Sequence, residues 1–219
     1  MISGPSGSGK GTICAGLTAK TKAMLSVSMT TRAPREHEEE GKSYFFVDKE
    51  RFREAIAEGG FFEYANVYGE YYGTPKAPVM AELEKGRDVI LEIEVDGAMQ
   101  VRDSMPDAVL IFVLPPSLAE LRRRMENRGT ETPERITRRL ERVEKEIGQI
   151  GDYDYLVVND DINSAIDDML AIMRTERLYG TNRATQFMMA EDKATMRRAG
   201  RLRVGADAEK IIERYRSEG

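Results

Sequence analysis

Apolar positions along the 219-residue chain recur with two different periods. Short continuous runs, Val89-Ile90-Leu91-Glu92-Ile93, residues 108–114 and Tyr155-Leu156-Val157-Val158, read as strands buried on both faces. Between them lie stretches with helical spacing: residues 11–23, with Ala15, Leu17 and Ala19, then 77–85, 96–105, 133–147 and 164–178. Residues 24–29 read as a further short strand, with Leu25 and Val27 on one face. Ser117-Leu118-Ala119-Glu120 has the pattern of a capping box opening a basic helix, and Pro133 suits the first position of the next one. Strands alternating with helices predict the α/β class, a parallel sheet covered by helices on both faces.

Residues 30–78 interrupt that alternation. A polar loop leads to a strand, Tyr44-Phe45-Phe46-Val47, after which Asp48 caps a helix that reaches about residue 58 and ends at Gly59-Gly60. Residues 61–67 and 71–74 read as further strands, bent at Gly69 and Gly73. Small strands around one helix predict an inserted subdomain. Beyond Tyr179-Gly180 the chain turns basic and irregular, with Arg197-Arg198, Arg201 and Arg203, before a helical stretch over 207–215. This extension, residues 179–219, carries no motif that names a chemistry; if it is accessory, its removal leaves catalysis intact.

Chemistry enters at the start of the chain, in Gly4-Pro5-Ser6-Gly7-Ser8-Gly9-Lys10-Gly11-Thr12. A glycine, four residues and then Gly-Lys is the spacing of a phosphate-binding loop. Glycines let the backbone turn tightly around an anion, so that successive N–H groups point at phosphate oxygens. The following helix adds the positive end of its dipole, and Lys10 reaches the outer phosphates. The hydroxyl comes one position later than in the strict pattern, at Thr12 after Gly11. Only Met1-Ile2-Ser3 precede the loop, so either its supporting strand is a stub or the true start lies upstream of Met1. The motif implies a nucleoside triphosphate and leaves its use open.

Composition narrows the classes. With 33 basic and 38 acidic residues the net charge is -5, which does not suit a general nucleic-acid binder. The one cysteine, Cys14, excludes an internal disulfide framework and suits a reducing compartment. The glycine loop occupies the place of a leader's apolar core, and no apolar run approaches a membrane span. These features predict a soluble, cytoplasmic protein without nucleic-acid or membrane partners.

The run Thr30-Thr31-Arg32-x-x-Arg35-x-x-Glu38-x-x-Gly41-x-x-Tyr44-x-Phe46-Val47 strongly resembles the signature of guanylate kinases. Glu63, Tyr71-Tyr72-Gly73-Thr74, Arg128-Gly129-Thr130-Glu131 and Val158-Asn159-Asp160-Asp161 extend the resemblance to about residue 178. It implies a P-loop NTPase core (residues 1–29 and 75–178) carrying a GMP-binding insertion (30–74) and a helical lid (about 122–148). It also implies transfer of the γ-phosphoryl of ATP to GMP or dGMP, with Mg2+, in purine nucleotide metabolism. Residues Gly4 to Thr12, with Arg124 and Asn159, would bind ATP. Lys10, Arg128 and Arg139 would stabilise the charge of the transferring group, with Arg124 and Arg135 weaker candidates. Glu92 and Thr12 would hold the metal, Glu92 through water.

For GMP, Arg32 and Arg35 stand three apart on a loop, a spacing suited to fork a dianionic phosphate, and Tyr44 and Tyr72 add hydroxyl donors without charge. Guanine presents N1–H and a 2-amino group as donors, so a site selecting it wants a carboxylate. The resemblance puts that carboxylate at Glu63, with Ser28, Thr74 and Glu94 as further partners of the base. Relatives more often carry Asp at the position of Glu94, Ser at that of Thr74 and Gln at that of Asp96.

Taken singly, these residues have plainer readings. Arg122-Arg123-Arg124 is by itself a solvated helix face, Tyr71-Tyr72 is strand packing, and His37 is an exposed loop residue. A guanylate-kinase-like binding module would lack a working phosphate loop, whereas Lys10 is present; an adenylate kinase would lack the two-arginine run and Glu63.

Overall fold

The computed structural model describes residues 1–67, 69–127, 132–180, 212–215 and 217. In chain order the elements are β1 (Ile2–Ser3), α1 (Lys10–Lys20), β2 (Met24–Leu25), β3 (Met29–Thr30), β4 (Phe45–Phe46), α2 (Lys49–Ala57), β5 (Phe61–Val67) and β6 (Glu70–Pro75). There follow α3 (Lys76–Glu84), β7 (Val89–Ile90), α4 (Val95–Ser104), β8 (Ile111–Leu114), α5 (Leu118–Asn127), α6 (Pro133–Gly148), a 3-10 turn (Ile150–Asp152), β9 (Tyr155–Val158) and α7 (Ile162–Gly180). Two compact units divide the chain: Met1 with Thr18–Ala108, and Ile2–Leu17 with Val109–Gly219.

The unit that holds the phosphate loop is built on a parallel sheet of order β1-β8-β9. All four residues of the middle strand β8 are buried, as expected of an apolar run covered on both faces. The stub before the loop is a real strand: Ile2 pairs with Ile111 and Ser3 with Phe112. Helix α1 buries Ile13, Cys14 and Leu17, so Cys14 is a small core residue. Helix α6 turns Ile136, Leu140, Val143 and Ile147 inward at helical spacing and packs against α5, which buries Leu121 and Met125. Thr132 is the N-cap of α6, and Pro133 stands where the backbone N–H would lack an intrahelical partner anyway. Only half of the expected capping box forms at α5: Glu120 N donates to Ser117 Oγ (3.1 Å), while the Glu120 carboxylate turns to Arg123 and Arg124. Charge-assisted bonds to two guanidiniums outcompete one backbone amide.

In the other unit, β2 and β7 form a parallel ladder with Met24 opposite Val89. The single strand expected over residues 24–29 is split. Ser26 N still bonds to Ile90 O (2.9 Å), and Met29–Thr30 then enter a second sheet of order β4-β3-β6-β5. There β3 runs parallel to β4 and antiparallel to β6. Asp48 caps α2 as expected, its Oδ1 accepting Arg51 N at 2.7 Å. Helix α2 buries Phe52 and Ala55 against Phe61, with the Phe52 and Phe61 rings stacked at 4.5 Å. A bulge between Phe61 and Glu63 breaks the alternation of β5, so Phe61, Phe62 and Glu63 are all buried.

The parallel strands with flanking helices are those of the α/β class. Among the described residues no helix is long and apolar enough to cross a membrane. The helical stretch expected over 207–215 falls within the described residues only at 212–215, where the backbone is helical.

Candidate active site

The phosphate loop runs from the end of β1 into α1. Gly9 lies in the left-handed region (φ +94°), and a Cβ there would stand 2.2 Å from Asn159 Nδ2, so both conformation and space demand glycine. The buried Asn159 amide donates to Ser8 O at 2.8 Å. Lys10 is buried and its Nζ donates to Gly4 O (2.5 Å) and Pro5 O (3.1 Å), which holds the ammonium inside the loop's curve. The Ser8 hydroxyl is buried with no hydrogen-bond partner among the described residues, as suits a loop shaped around a polar ligand.

An open cleft of about 560 Å3 adjoins the loop, lined by Gly7, Gly9, Thr12, Arg124, Asn127 and Asn159 among others, a size usual for a nucleotide-sized ligand. Arg124 Nη2 donates to Asn159 O (2.9 Å) and its Nε to Glu120 Oε1 (2.7 Å). From α6, the exposed Arg139 donates through Nη1 to Ser6 Oγ. Two predicted arginines therefore stand with the loop. Of the other two, Arg135 is exposed on α6 and Arg128 lies outside the described residues.

The other group of predicted residues gathers on the four-stranded sheet and its loops. Arg32 Nη1 and Nη2 donate to Glu38 Oε2 and Oε1, both at 2.9 Å, and its Nε donates to Tyr72 Oη at 3.2 Å. The Arg32 guanidinium also lies 5.4 Å from the Tyr44 ring centre, and Tyr44 meets Tyr72 edge-on at 6.1 Å. Arg35 is exposed, its backbone N–H donating to Glu38 Oε2 at 2.8 Å. Hydrogen bonds from Arg32 and then from the Arg35 backbone lower the Glu38 carboxyl to about 2. Burial raises the Tyr44 phenol.

Glu63 and Thr74 face each other across the β5–β6 ladder, and both are buried. Thr74 Oγ1 donates to Glu63 Oε1 at 2.6 Å. Burial raises the Glu63 carboxyl above its ordinary range, Thr74 opposes this, and Glu94 adds to it. Ser28 is half-buried and its carbonyl accepts Phe45 N at 2.9 Å. Glu94 is the N-cap residue of α4, and Asp96 stands in the first turn, where a carboxylate favours the positive end of the helix. Glu92, between β7 and α4, is half-buried.

The guanylate kinase family model matches residues 1–176. The chain belongs to the guanylate kinase family. A guanylate kinase of Clostridium tetani is 49% identical over 177 residues, 81% of this chain and 85% of the relative. One of Thermus thermophilus is 51% identical over 177 residues, 81% and 80% of the two chains. The crystal structure of guanylate kinase from Anaplasma phagocytophilum superposes with a TM-score of 0.60 at 35% identity, over 80% of this chain and 83% of that one. Every predicted site residue falls inside the guanylate kinase match.

Three residues that touch these groups were not assigned from the sequence. Glu120 was visible only as a cap, although its spacing to Arg123 and Arg124 already permitted ion pairs on one helix face. Glu38 stood in the signature without a role and is the partner of Arg32. Gly97, whose missing side chain faces Glu63, left no sequence signal.

Proposed function

We infer that the chain transfers the γ-phosphoryl of ATP to GMP, and to dGMP, releasing ADP and GDP. The observation that carries this reading is a buried carboxylate acceptor, Glu63, in a guanylate kinase chain that also has a phosphate loop with its lysine. Glu63 accepts from guanine N1–H and the 2-amino group, with Ser28, Thr74 and Glu94 completing the contacts to the base. Adenine offers no such donor pair, and selection follows from the unpaired buried carboxylate it would leave.

Arg32, Arg35, Tyr44 and Tyr72 hold the GMP phosphate. Lys10 and the amides from Gly4 to Thr12 hold the ATP phosphates, with Arg124 and Asn159 beside them. No nucleophilic side chain is needed, because a GMP phosphate oxygen attacks the γ-phosphorus in line while the bridging oxygen leaves with ADP. What the protein supplies is position, charge and dryness. Arg128 and Arg139, on a lid of about residues 122–148, neutralise charge on the transferring group, a role in which one arginine is worth ~10^3 or more in rate. The same lid keeps water from the γ-phosphate.

Among the described residues there is no group of three or more His, Cys, Asp or Glu side chains able to cage a metal. Mg2+ prefers phosphate oxygens and water with one or two protein oxygens. Thr12, exposed in the first turn of α1, and Glu92 would hold it. Bound with ATP, Mg2+ would supply positive charge against the phosphates. The reaction belongs to purine nucleotide metabolism and GMP recycling, in the cytoplasm, a reducing compartment that suits the buried thiol of Cys14.

The test is ADP release from Mg-ATP with GMP, dGMP, AMP, UMP or no acceptor. GMP-dependent turnover with little release in its absence is expected; a preference for AMP would overturn the reading.

A further inference from the structure

We propose that Glu120 is a positioning residue of the nucleotide site, acting through Arg124 and Asn159 to hold the phosphate loop in shape. The proposal rests on the ATP-binding part of the function inferred above.

A continuous chain of hydrogen bonds carries it. Glu120 Oε1 accepts Arg124 Nε at 2.7 Å, Arg124 Nη2 donates to Asn159 O at 2.9 Å, and Asn159 Nδ2 donates to Ser8 O at 2.8 Å. Each link has a fixed base. Glu120 sits in the first turn of α5, its backbone N–H held by Ser117 Oγ. Asn159 N donates to Leu114 O at 2.7 Å, which extends the β8–β9 ladder and seats the residue. Asn159 is only 3% exposed, so a carbonyl acceptor for its amide is nearly obligatory.

The consequence reaches the anion site through one peptide plane. In a trans peptide the C=O and N–H point in opposite directions. Fixing the Ser8 carbonyl on Asn159 therefore aims the Gly9 N–H away from Asn159 and bars the peptide from flipping. At the other end, an arginine held at Nε and Nη2 is already ordered when it meets a phosphate, so less conformational freedom is lost on binding. Arg123 also pairs with Glu120, through Nε at 2.7 Å, but it is exposed and, among the described residues, does not hydrogen-bond Asn159 or the loop. It serves as the internal control.

ATP titration by calorimetry, with KM values for ATP and GMP, tests the proposal on the full chain. Glu120→Ala should weaken ATP binding about tenfold, the scale of a lost charge-assisted bond, and leave KM for GMP within about twofold. Glu120→Gln, which keeps an acceptor oxygen, should recover part of the loss. Arg123→Gln should leave both constants unchanged. The double variant Glu120→Ala/Asn159→Ala should lose less ATP affinity than the two single losses combined, because part of the effect of Glu120 passes through the Asn159 side chain. Wild-type ATP affinity in Glu120→Ala, parallel shifts of both KM values with a fallen melting temperature, or additive losses in the double variant would each overturn it. If the wild type bound ATP without turning over GMP, the inferred reaction would fail while the titrations still decided the role of Glu120.

Discussion

Gly97 gives Glu63 its space: a Cβ built on Gly97 would lie 2.8 Å from Glu63 Oε2, while Oε1 accepts the Thr74 hydroxyl at 2.6 Å. The carboxylate is thus wedged between the first turn of α4 and β6, with one oxygen satisfied inside the protein and the other against a position without a side chain. Gly97→Ala should push the carboxylate out of place. The backbone gains from the change, since alanine in a helix is favoured over glycine by about 1 kcal/mol. The expected outcome is an unchanged or raised melting temperature, KM for GMP up about tenfold or more, and KM for ATP unaltered. Equal GMP kinetics in the variant would show that the carboxylate adapts.

Glu63→Gln puts a donor where guanine requires an acceptor. A buried mismatched pair costs about 2–3 kcal/mol, so KM for GMP should rise about a hundredfold. The proton linkage has a definite sign. Burial raises the Glu63 carboxyl, so the native state binds more protons than the unfolded one. Its contribution to stability is present below the ordinary carboxylate value and lost as pH rises through the raised folded value. GMP binding runs the opposite way, because only the ionised form accepts both guanine donors. KM for GMP should therefore climb on acidification through that raised value, and Glu63→Gln should lack this limb while showing a higher melting temperature at neutral pH. Parallel pH profiles in the two proteins would remove Glu63 from the role.

Arg32→Lys keeps the charge and loses the fork. Arg32 bonds Glu38 through two nitrogens and Tyr72 through the third, a geometry one ammonium cannot reproduce. KM for GMP should rise about tenfold or more with KM for ATP unchanged, measured by coupled ADP release. An equal rise in both constants would mean a general loss of structure.

Local patterns were legible in the sequence and long-range ones were not. The phosphate loop is a spacing of glycines, α6 is a stripe of apolar residues at helical period, and the cap at Asp48 is one residue before its helix; each can be read within a few positions. The split of residues 24–30 between two sheets depends on β7 and β6, some 65 and 43 positions further on, so no local pattern marks it. The Asn159–Ser8 bond joins residues 151 apart. Gly97 acts by what it lacks. The guanylate kinase resemblance named Glu63 and Thr74 as partners of the base, and only the register of the β5–β6 ladder brings the two face to face.

The basic extension is the part in which sequence reasoning saw no role, and Tyr215 argues otherwise. The residue is 1% exposed, among the largest fully buried side chains of the described residues, and its hydroxyl donates to Pro115 O at 2.6 Å. Pro115 follows β8 and precedes the cap of α5, so the contact secures the connection from the central strand to the helix that carries Arg124. Tyr215→Phe removes the hydrogen bond and strands a buried carbonyl at a cost of about 1 kcal/mol, whereas Tyr215→Ala also opens a cavity, for about 3 kcal/mol or more. At about 2–4 °C per kcal/mol for a chain of this size, thermal unfolding should register melting-temperature losses of about 3 and 10 °C. A chain ending at residue 211 should behave like Tyr215→Ala, and adding back the last eight residues should restore it. If truncation left both the melting temperature and GMP turnover unchanged, the buried tyrosine would be a passenger and the extension accessory.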